Sequence, residues 1–348
     1  MKAIRILAIE SSCDEGAAAL IEGKGEHLIV RSNVVYSQIK LHQKYGGVVP
    51  EVAAREHSET LLPTVCAALR QAFPKLKAGR ELIDGKKYID YIAVTTGPGL
   101  SVALRMGMEV AKTISYIWQK PIISVNHLAG HIYANWLSSN KIKFPLLCLI
   151  VSGGHTELVY MKNHSQYKKI GWTIDDAAGE AFDKGAKVLE LGYPGGPAIA
   201  ALSNNGNKKA HQFPRPMVNS GDLQFSFSGL KTALLYFWRD AKGVSKADAA
   251  ASYQEAIVDC LVQKTASALK NKKIKTLLLG GGVAANKELR ERLQMLVQND
   301  FSKVTYAQPE LSFTTDNAAM IGAAGYFLAR QKKITPWKKL QADPHWSL

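Results

Sequence analysis

The sequence predicts an α/β protein with partly parallel sheets, built as two related lobes. Strand-length apolar runs alternate with helical patterns along the chain, which is typical of βαβ units. One strand–turn–strand unit near the N-terminus returns roughly half a chain later, and such internal similarity indicates duplication. The 348 residues also exceed what one hydrophobic core usually serves.

The first half begins with a predicted hairpin, in which the apolar runs Ile4–Ile9 and Ala17–Ile21 flank the polar turn Glu10–Gly16. Strands and helices are then predicted to alternate. In chain order they are the strand Tyr88–Thr96, the helix Ser101–Trp118, the strand Pro121–Val125 and the helix His127–Leu137. The segment 121–140 lacks Lys, Arg, Asp and Glu, but its Asn, His and Gly residues favour a strand and a helix over a membrane span.

The second half repeats the hairpin, with Phe144–Val151 and Leu158–Met161 around the turn Ser152–Thr156. The helical period predicts five helices, and one apolar run predicts a strand. They are the helices Asp176–Leu191, Ser228–Ala241, Lys246–Lys270, Asn286–Val297 and Ala318–Leu328, and the strand Lys275–Leu279.

The charge balance and the cysteine content limit the classes of protein to which this chain could belong. The 44 Lys and Arg exceed the 29 Asp and Glu by 15, a positive charge that suits either a nucleic-acid partner or plain solubility. The basic residues are scattered, for example at Lys86/Lys87, Lys168/Lys169, Lys208/Lys209, Lys272/Lys273 and Lys332/Lys333/Lys338/Lys339. The four cysteines form no CxxC pair, which excludes a zinc ribbon and favours buried, reduced thiols in the cytoplasm.

Two histidines could ligate a metal. His127 and His131 stand four residues apart, so on a helix both imidazoles project from one face. Two ordinary histidines would show the same spacing, and there is no HExxH with its general base. Asp316 could supply a third ligand, although an Asp before a helix is equally suited to be its N-cap.

Glycine-rich turns and acidic residues provide further candidates. Three turns, Ser152–Gly154, Gly195–Gly196 and Gly280–Gly282, could let backbone amides approach a nucleotide, although glycine also serves ordinary turns. None matches the P-loop pattern. Asp183, on a predicted helix, could hold a ribose or an amine, or it could be a solvated surface acid.

Taken together, these motifs closely resemble the TsaD family of bacterial tRNA threonylcarbamoyladenosine transferases, once described as glycoprotein endopeptidases. The resemblance spans nearly the whole chain. It rests on Cys13–Glu15, Tyr45–Glu51, Gly97–Gly99, His127–His131, Val151–Thr156, Ile174–Lys184, Tyr193–Gly196, Phe225–Lys231 and Thr315–Asn317. Two departures stand out, because Ser11 replaces a common Thr, and Pro344-His345-Trp346 replaces Pro-Arg-Trp.

The resemblance implies the duplicated two-lobe actin/Hsp70/sugar-kinase-like (ASKHA) fold. It implies transfer of a threonylcarbamoyl group from threonylcarbamoyl-AMP to N6 of adenosine 37 in tRNAs that read ANN codons, with release of AMP, in the cytoplasm and away from any membrane. We expect an N-terminal lobe of residues 1–125 and a C-terminal lobe of residues 126–330 that carries the metal and adenylate site. We expect a basic tail, residues 331–348, that returns toward the N-terminal lobe.

The resemblance also assigns residues and partners. His127, His131 and Asp316 match the ligands of one divalent metal, with iron expected and zinc as the alternative. The adenylate-binding positions match Ile150, Val151, Ser152, Gly153, Gly154, Asp183, Gly196 and Asn286. We assign the general base to Asp14, since a carboxylate near the acyl group could take the proton of the adenine amine. Bacterial members work with an inactive paralogue, TsaB, and a P-loop ATPase, TsaE.

Three other classes compete with this assignment. A sugar or acetate kinase of the same fold would need a phosphate acceptor and no bound transition metal. A non-catalytic scaffold would have no need of His127, His131 and Asp316. A protease would need a nucleophile–base pair or HExxH, and the sequence offers neither.

Overall fold

The computed structural model describes residues 2–139, 141–240, 243–270 and 273–348, so Ala241 and Lys272 lie outside the described residues. The strands are β1 (Ile4–Glu10), β2 (Glu15–Lys24), β3 (His27–Ser37), β4 (Tyr91–Gly97), β5 (Ile122–Asn126), β6 (Leu146–Val151), β7 (Thr156–Met161), β8 (Tyr167–Trp172), β9 (Thr276–Gly280) and β10 (Thr305–Ala307). The helices are α1 (Ile39–Gln43), α2 (Pro50–Ala72), α3 (Glu81–Asp84), α4 (Ser101–Trp118), α5 (His127–Tyr133), α6 (Ala178–Val188), α7 (Gly195–Ser203), α8 (Ser228–Asp240), α9 (Lys246–Lys270), α10 (Lys287–Asp300) and α11 (Ala318–Arg330).

The chain forms two compact units. Unit 1 comprises residues 1–140 and 309–348, and unit 2 comprises residues 141–308. This division differs from the expected lobes of residues 1–125 and 126–330, because the C-terminal α11 packs on the N-terminal sheet. Glycine permits the close approach, since a Cβ on Gly322 would lie 2.4 Å from Cγ1 of Ile21.

Unit 1 is built on a five-stranded mixed sheet in the order β3-β2-β1-β4-β5. β1 pairs antiparallel with β2 and parallel with β4, and β4 pairs parallel with β5. Leu7 and Ile9 face α2 and α4, whereas the alternating Ile6 and Ala8 approach α11. The carboxyl ends of β1, β4 and β5 therefore meet at one edge of a sheet that is covered on both faces.

Unit 2 repeats this arrangement in the order β10-β9-β6-β7-β8. The antiparallel hairpin β6–β7 corresponds to β1–β2, and β6, β9 and β10 run parallel as β1, β4 and β5 do. Leu147, Leu149 and Val151 of β6 contribute to a core with side chains of α6 and α9. The predicted α/β class and the duplication are both confirmed.

Most predicted elements are present, with differences at their ends. The helix expected over Asp176–Leu191 is shorter, Ala178–Val188, and the helix after β5 becomes a 3-10 turn at Ala134–Leu137. Helix ends fray into such turns because their last carbonyls lack intrahelical partners. Within the described residues, no helix combines the length and the apolar character that crossing a membrane requires.

Candidate functional site

The two histidines lie at the carboxyl edge of the unit 1 sheet. β5 ends at Asn126, whose side-chain oxygen accepts hydrogen bonds from the backbone N–H groups of Leu128 (2.9 Å) and Ala129 (3.2 Å). This N-cap starts α5 immediately after the strand. His127 and His131 are one turn apart on α5, and their ring centroids are 4.7 Å apart.

Asp316 joins the histidines from the distant C-terminal segment of unit 1. Its Oδ1 lies 3.4 Å from Nε2 of His127 and 3.3 Å from Nε2 of His131. The N-cap of α11 is Asn317, whose side chain accepts a hydrogen bond from the N–H of Met320 at 3.0 Å. Asp316 is thus not needed as the cap, and its carboxylate faces the imidazoles instead.

These three residues could hold a metal ion, because one ligand atom from each lies within 4.8 Å of the others. His131 is 1% exposed, and neither of its ring nitrogens makes a well-aligned hydrogen bond, although the Asp316 carboxylate lies 3.3 Å from Nε2. A buried polar atom without a partner costs free energy, and a metal ion would satisfy Nε2. Two imidazoles and one carboxylate suit a divalent transition metal and leave positions open for a substrate oxygen.

The charges of Asp316, Glu10 and the two histidines shift one another's pKa values. Burial disfavours a charged His127, but Asp316 and Glu10 outweigh this effect and raise its pKa. Burial likewise opposes ionisation of Asp316, but the two histidines hold the pKa of that carboxyl far below its usual range. Burial lowers the pKa of His131, so this imidazole is neutral and its nitrogen lone pair is available to a metal.

Glu10 is a member of this site that the sequence did not single out. It is fully buried at the end of β1, and its Oε2 lies 3.2 Å from Nδ1 of His127. Because a carboxylate only accepts, Nδ1 carries the proton and Nε2 faces Asp316. An acidic residue at the end of an apolar strand is the signal in the sequence that could have indicated this role. The sequence does not identify its partner, however, because His127 is 117 residues away along the chain.

Asp14 lies in the turn between β1 and β2, where it is 7% exposed, and its backbone carbonyl accepts from the N–H of Gln38 at 3.1 Å. Its neighbour Glu15 has a raised pKa of about 9, caused by burial and then by the negative charges of Asp316 and Asp14. Unit 1 therefore concentrates several carboxyl groups around this turn.

In unit 2, glycine turns follow the carboxyl ends of the parallel strands β6 and β9. Ile150 and Val151 are fully buried, so they offer only backbone groups. Gly153 and Gly154 are exposed, and nothing lies within 4 Å of where a Cβ would stand. Gly281 has a φ of +92°, and a Cβ there would lie 2.3 Å from the Val151 carbonyl oxygen. This edge of an α/β sheet is where ligands usually bind.

The other adenylate candidates already have protein partners. Asp183 accepts a hydrogen bond from the N–H of Gly195 at 2.7 Å and so caps α7, next to Gly196. Burial raises the pKa of Asp183, and the N–H groups of Gly195 and Gly196 oppose this. Asn286 caps α10 through the N–H of Leu289 (3.0 Å) and donates to Gln254 (2.7 Å). Ser152 accepts from the N–H of His155 at 3.1 Å.

Solved structures of other proteins share this fold. HypF from T. kodakarensis matches 93% of this chain with a TM-score of 0.60 and 15% identity, and the chain spans 47% of HypF. A second structure is the activator of 2-hydroxyisocaproyl-CoA dehydratase from Clostridium difficile, solved with bound ADPNP. The match covers 96% of this chain and 99% of the activator chain, with a TM-score of 0.53 and 11% identity. The protein is thus an actin-like α/β protein of the ASKHA class, with a group of residues that could hold a metal.

Sequence comparison defines the family. The model for TsaD, tRNA N6-adenosine threonylcarbamoyltransferase, matches residues 29–323. A protein of that name from Desulfitobacterium hafniense (strain Y51) is 50% identical over all of this chain and 98% of its own length. Another from Thermosipho melanesiensis is 47% identical over 93% of this chain and 94% of its own. The chain belongs to the TsaD family of tRNA N6-adenosine threonylcarbamoyltransferases, which are acyltransferases.

Proposed function

We propose that this chain transfers the threonylcarbamoyl group of threonylcarbamoyl-AMP to N6 of adenosine 37 in tRNAs that read ANN codons, in the cytoplasm. The observation that carries the proposal is the grouping of His127, His131 and Asp316 in a member of this family. A scaffold protein would not need such a group, and a kinase of the same fold would not need a transition metal.

A divalent metal, with iron expected and zinc as the alternative, would be held by His127, His131 and Asp316. When bound, it would orient the threonyl carboxylate or polarise an acyl oxygen. Glu10 keeps the proton of His127 on Nδ1, so that Nε2 is free to act as a ligand.

The transfer itself is an acyl substitution. N6 of the adenosine bonds to the carbamoyl carbon, and the bond from that carbon to the phosphate oxygen breaks, so that AMP leaves with the electron pair. Asp14 takes the proton that N6 loses. An exocyclic amine is a poor nucleophile, so positioning supplies much of the rate. An anticodon loop permits the base to leave its stack at small cost.

The adenylate would bind to unit 2 at the turns Ser152–Gly154 and Gly281–Gly282 and at the N-terminus of α7, beside Gly196 and Asp183. Exposed glycine amides and a helix N-terminus favour a phosphate there. Ile150, Val151 and Asn286 would contribute mainly by fixing the backbone of these turns, since their side chains are buried or used in a cap.

The proposal includes two protein partners, the paralogue TsaB and the P-loop ATPase TsaE. The activity test therefore supplies purified partners together with tRNA and threonylcarbamoyl-AMP. We expect modified tRNA from the wild-type chain, measured by mass spectrometry of the nucleosides. Absence of the modified nucleoside with active partners would overturn the proposed function.

The metal assignment has its own test, the substitution His131→Ala. We expect the variant to lose most of its bound metal by elemental analysis, and its transfer rate to fall at least about a hundredfold, because a missing ligand removes the ion that positions the acyl group. His27→Ala is the control, since His27 is exposed at the start of β3. A fully active His131→Ala variant would show that the metal assignment is wrong.

A further inference from the structure

Part of the positive charge is concentrated on one surface of unit 1. We define this basic surface as two segments that meet at the Tyr116–Trp337 ring contact and at the Ile122–Thr335 bridge, namely the end of α4 with the residues before β5 and the C-terminal segment after α11. Their lysines are Lys112, Lys120, Lys332, Lys333, Lys338 and Lys339. Residues 110–123 and 328–342 contain no Asp or Glu. The two segments are far apart in the chain, so only the fold brings their lysines together.

Backbone pairing holds the C-terminal segment in place. Thr335 forms an antiparallel bridge with Ile122 of the edge strand β5, and its N–H donates to the Ile122 carbonyl at 2.9 Å. Leu340 is 3% exposed in the core of unit 1, and the N–H of Asp343 donates to the Thr96 carbonyl at 2.8 Å. The lysines on either side of Trp337 are therefore carried by an anchored segment.

An aromatic pair lies within this basic surface. The rings of Tyr116, on α4, and Trp337 are 5.6 Å apart and meet edge to face. Tyr116 is 59% exposed and Trp337 is 39% exposed. Nζ of Lys338 lies 5.5 Å from the Trp337 ring. Exposed rings among cations are what a base can stack on in a single-stranded or looped nucleic acid.

The charges of this surface are largely unneutralised. Lys112 pairs with Glu109 at 2.8 Å, but in the described part of the chain no ion pair is found for Lys120, Lys332, Lys333, Lys338 or Lys339. Asp90 is the acid near Lys120, in the cleft that both residues line. Some lysines elsewhere do have acidic partners, as Lys208 has in Glu288 (2.8 Å) and Lys169 has in Glu157 (3.2 Å).

We propose that this basic surface binds the sugar–phosphate backbone of tRNA, outside the site where the target adenosine reacts. The inference rests on the proposed function, which makes tRNA the substrate. When unpaired lysines neutralise phosphates, the counterions condensed on the nucleic acid are released, and this favours a polyanion over a partner of mixed charge. The exposed Tyr116 and Trp337 rings additionally offer a surface on which an unpaired base next to the bound backbone could stack, and acidic side chains of a protein would not use it.

The test compares the double variant Lys338→Gln/Lys339→Gln with a matched control, Lys273→Gln/Lys275→Gln, which removes two exposed lysines of unit 2. Binding of fluorescent tRNA to the full chain is measured at several salt concentrations. We expect the first pair to weaken binding about tenfold and to reduce the slope of log K against log salt by about 1 to 2, since each phosphate contact contributes about one. We expect the control variant to leave both the tRNA affinity and the salt slope unchanged.

Transfer kinetics separate this inference from the proposed function. The double variant should raise KM for tRNA and leave kcat within about twofold, because this segment bridges the first residue of β5, whereas His127 follows the last residue of that strand. If both double variants lost the same amount of tRNA affinity, or if Lys338→Gln/Lys339→Gln lost none, the basic surface would not be the RNA contact. Loss of a protein partner with tRNA binding intact would also overturn this inference. If the wild-type chain binds tRNA but transfers nothing, the proposed function fails and the binding comparison still decides the surface.

Discussion

Glu10 illustrates how one fully buried residue can orient a candidate metal ligand. Its Oε1 accepts from the N–H of Ser12 at 2.5 Å, and its Oε2 accepts from the hydroxyl of Thr95 at 2.5 Å and from His127. Burial opposes ionisation of Glu10, but His127 lowers its pKa, so the carboxylate stays charged. The orientation of the His127 ring therefore depends on β1 and β4 as well as on α5.

We predict that Glu10→Gln weakens metal binding about 10- to 100-fold, which is the usual effect of losing the hydrogen-bond partner of a histidine ligand. Titration of the purified chain with metal against a chelator measures the affinity. Glu22→Gln is the control, because Glu22 pairs with Arg5 and Arg31 on the same sheet. Unchanged affinity in a folded Glu10→Gln variant would show that Glu10 does not orient the ligand.

Residues of the family motifs also hold the elements of unit 2 together. Asp175, from the motif Ile174–Lys184, accepts hydrogen bonds from the N–H groups of Phe227 (2.8 Å) and Ser228 (3.3 Å) and from two serine hydroxyls. It thereby caps α8 from 53 residues away. Burial opposes ionisation of Asp175, but these donors outweigh it and hold its pKa below the ordinary value.

We predict that Asp175→Ala lowers the free energy of unfolding of unit 2 by about 1 kcal/mol near neutral pH, as loss of an N-cap does. The folded pKa is lowered, so the contribution of Asp175 is present above its unfolded pKa and is lost as the pH falls through the folded value. Denaturant titrations at pH 7 and near pH 3 measure the difference between the variant and the wild type.

The control for this prediction is Asp240→Ala, at the other end of α8, where the exposed carboxylate pairs with Arg239. We expect it to be nearly neutral, because exposed ion pairs contribute little. A difference between wild type and Asp175→Ala that grew on acidification would contradict the assignment of a charged cap.

The two units differ in how the chain builds them. Unit 2 is one continuous segment with its own core, whereas unit 1 needs both ends of the chain. Nearly every residue of α11 is buried, and Gly325 approaches Ala93 of β4 so closely that a Cβ would lie 2.7 Å from it. Without α11, the Ile6 and Ala8 face of the sheet would be exposed to water.

We predict that a chain ending at Gln308 loses the cooperative unfolding of unit 1 and keeps that of unit 2, because only unit 1 loses part of its core. Calorimetry and hydrogen exchange of the shortened chain measure which segments stay protected. Protection that persists in β1, β4 and β5 would show that α11 is not required to complete unit 1.

Features that depend on neighbours along the chain could be predicted from the amino-acid sequence. Apolar runs and helical periods place α4 and α9 and both hairpins, and the i, i+4 spacing puts His127 and His131 on one face, because side-chain direction repeats within a few residues. Contacts between distant segments became visible in the folded protein. Packing of α11 on β1 assigns residues 309–348 to unit 1, brings Asp316 to the histidines and leaves the cap of α11 to Asn317. The fold also brings Glu10 to its partner, His127. This pairing could not be predicted, because no local sequence pattern encodes which buried polar groups meet at the edge of a sheet.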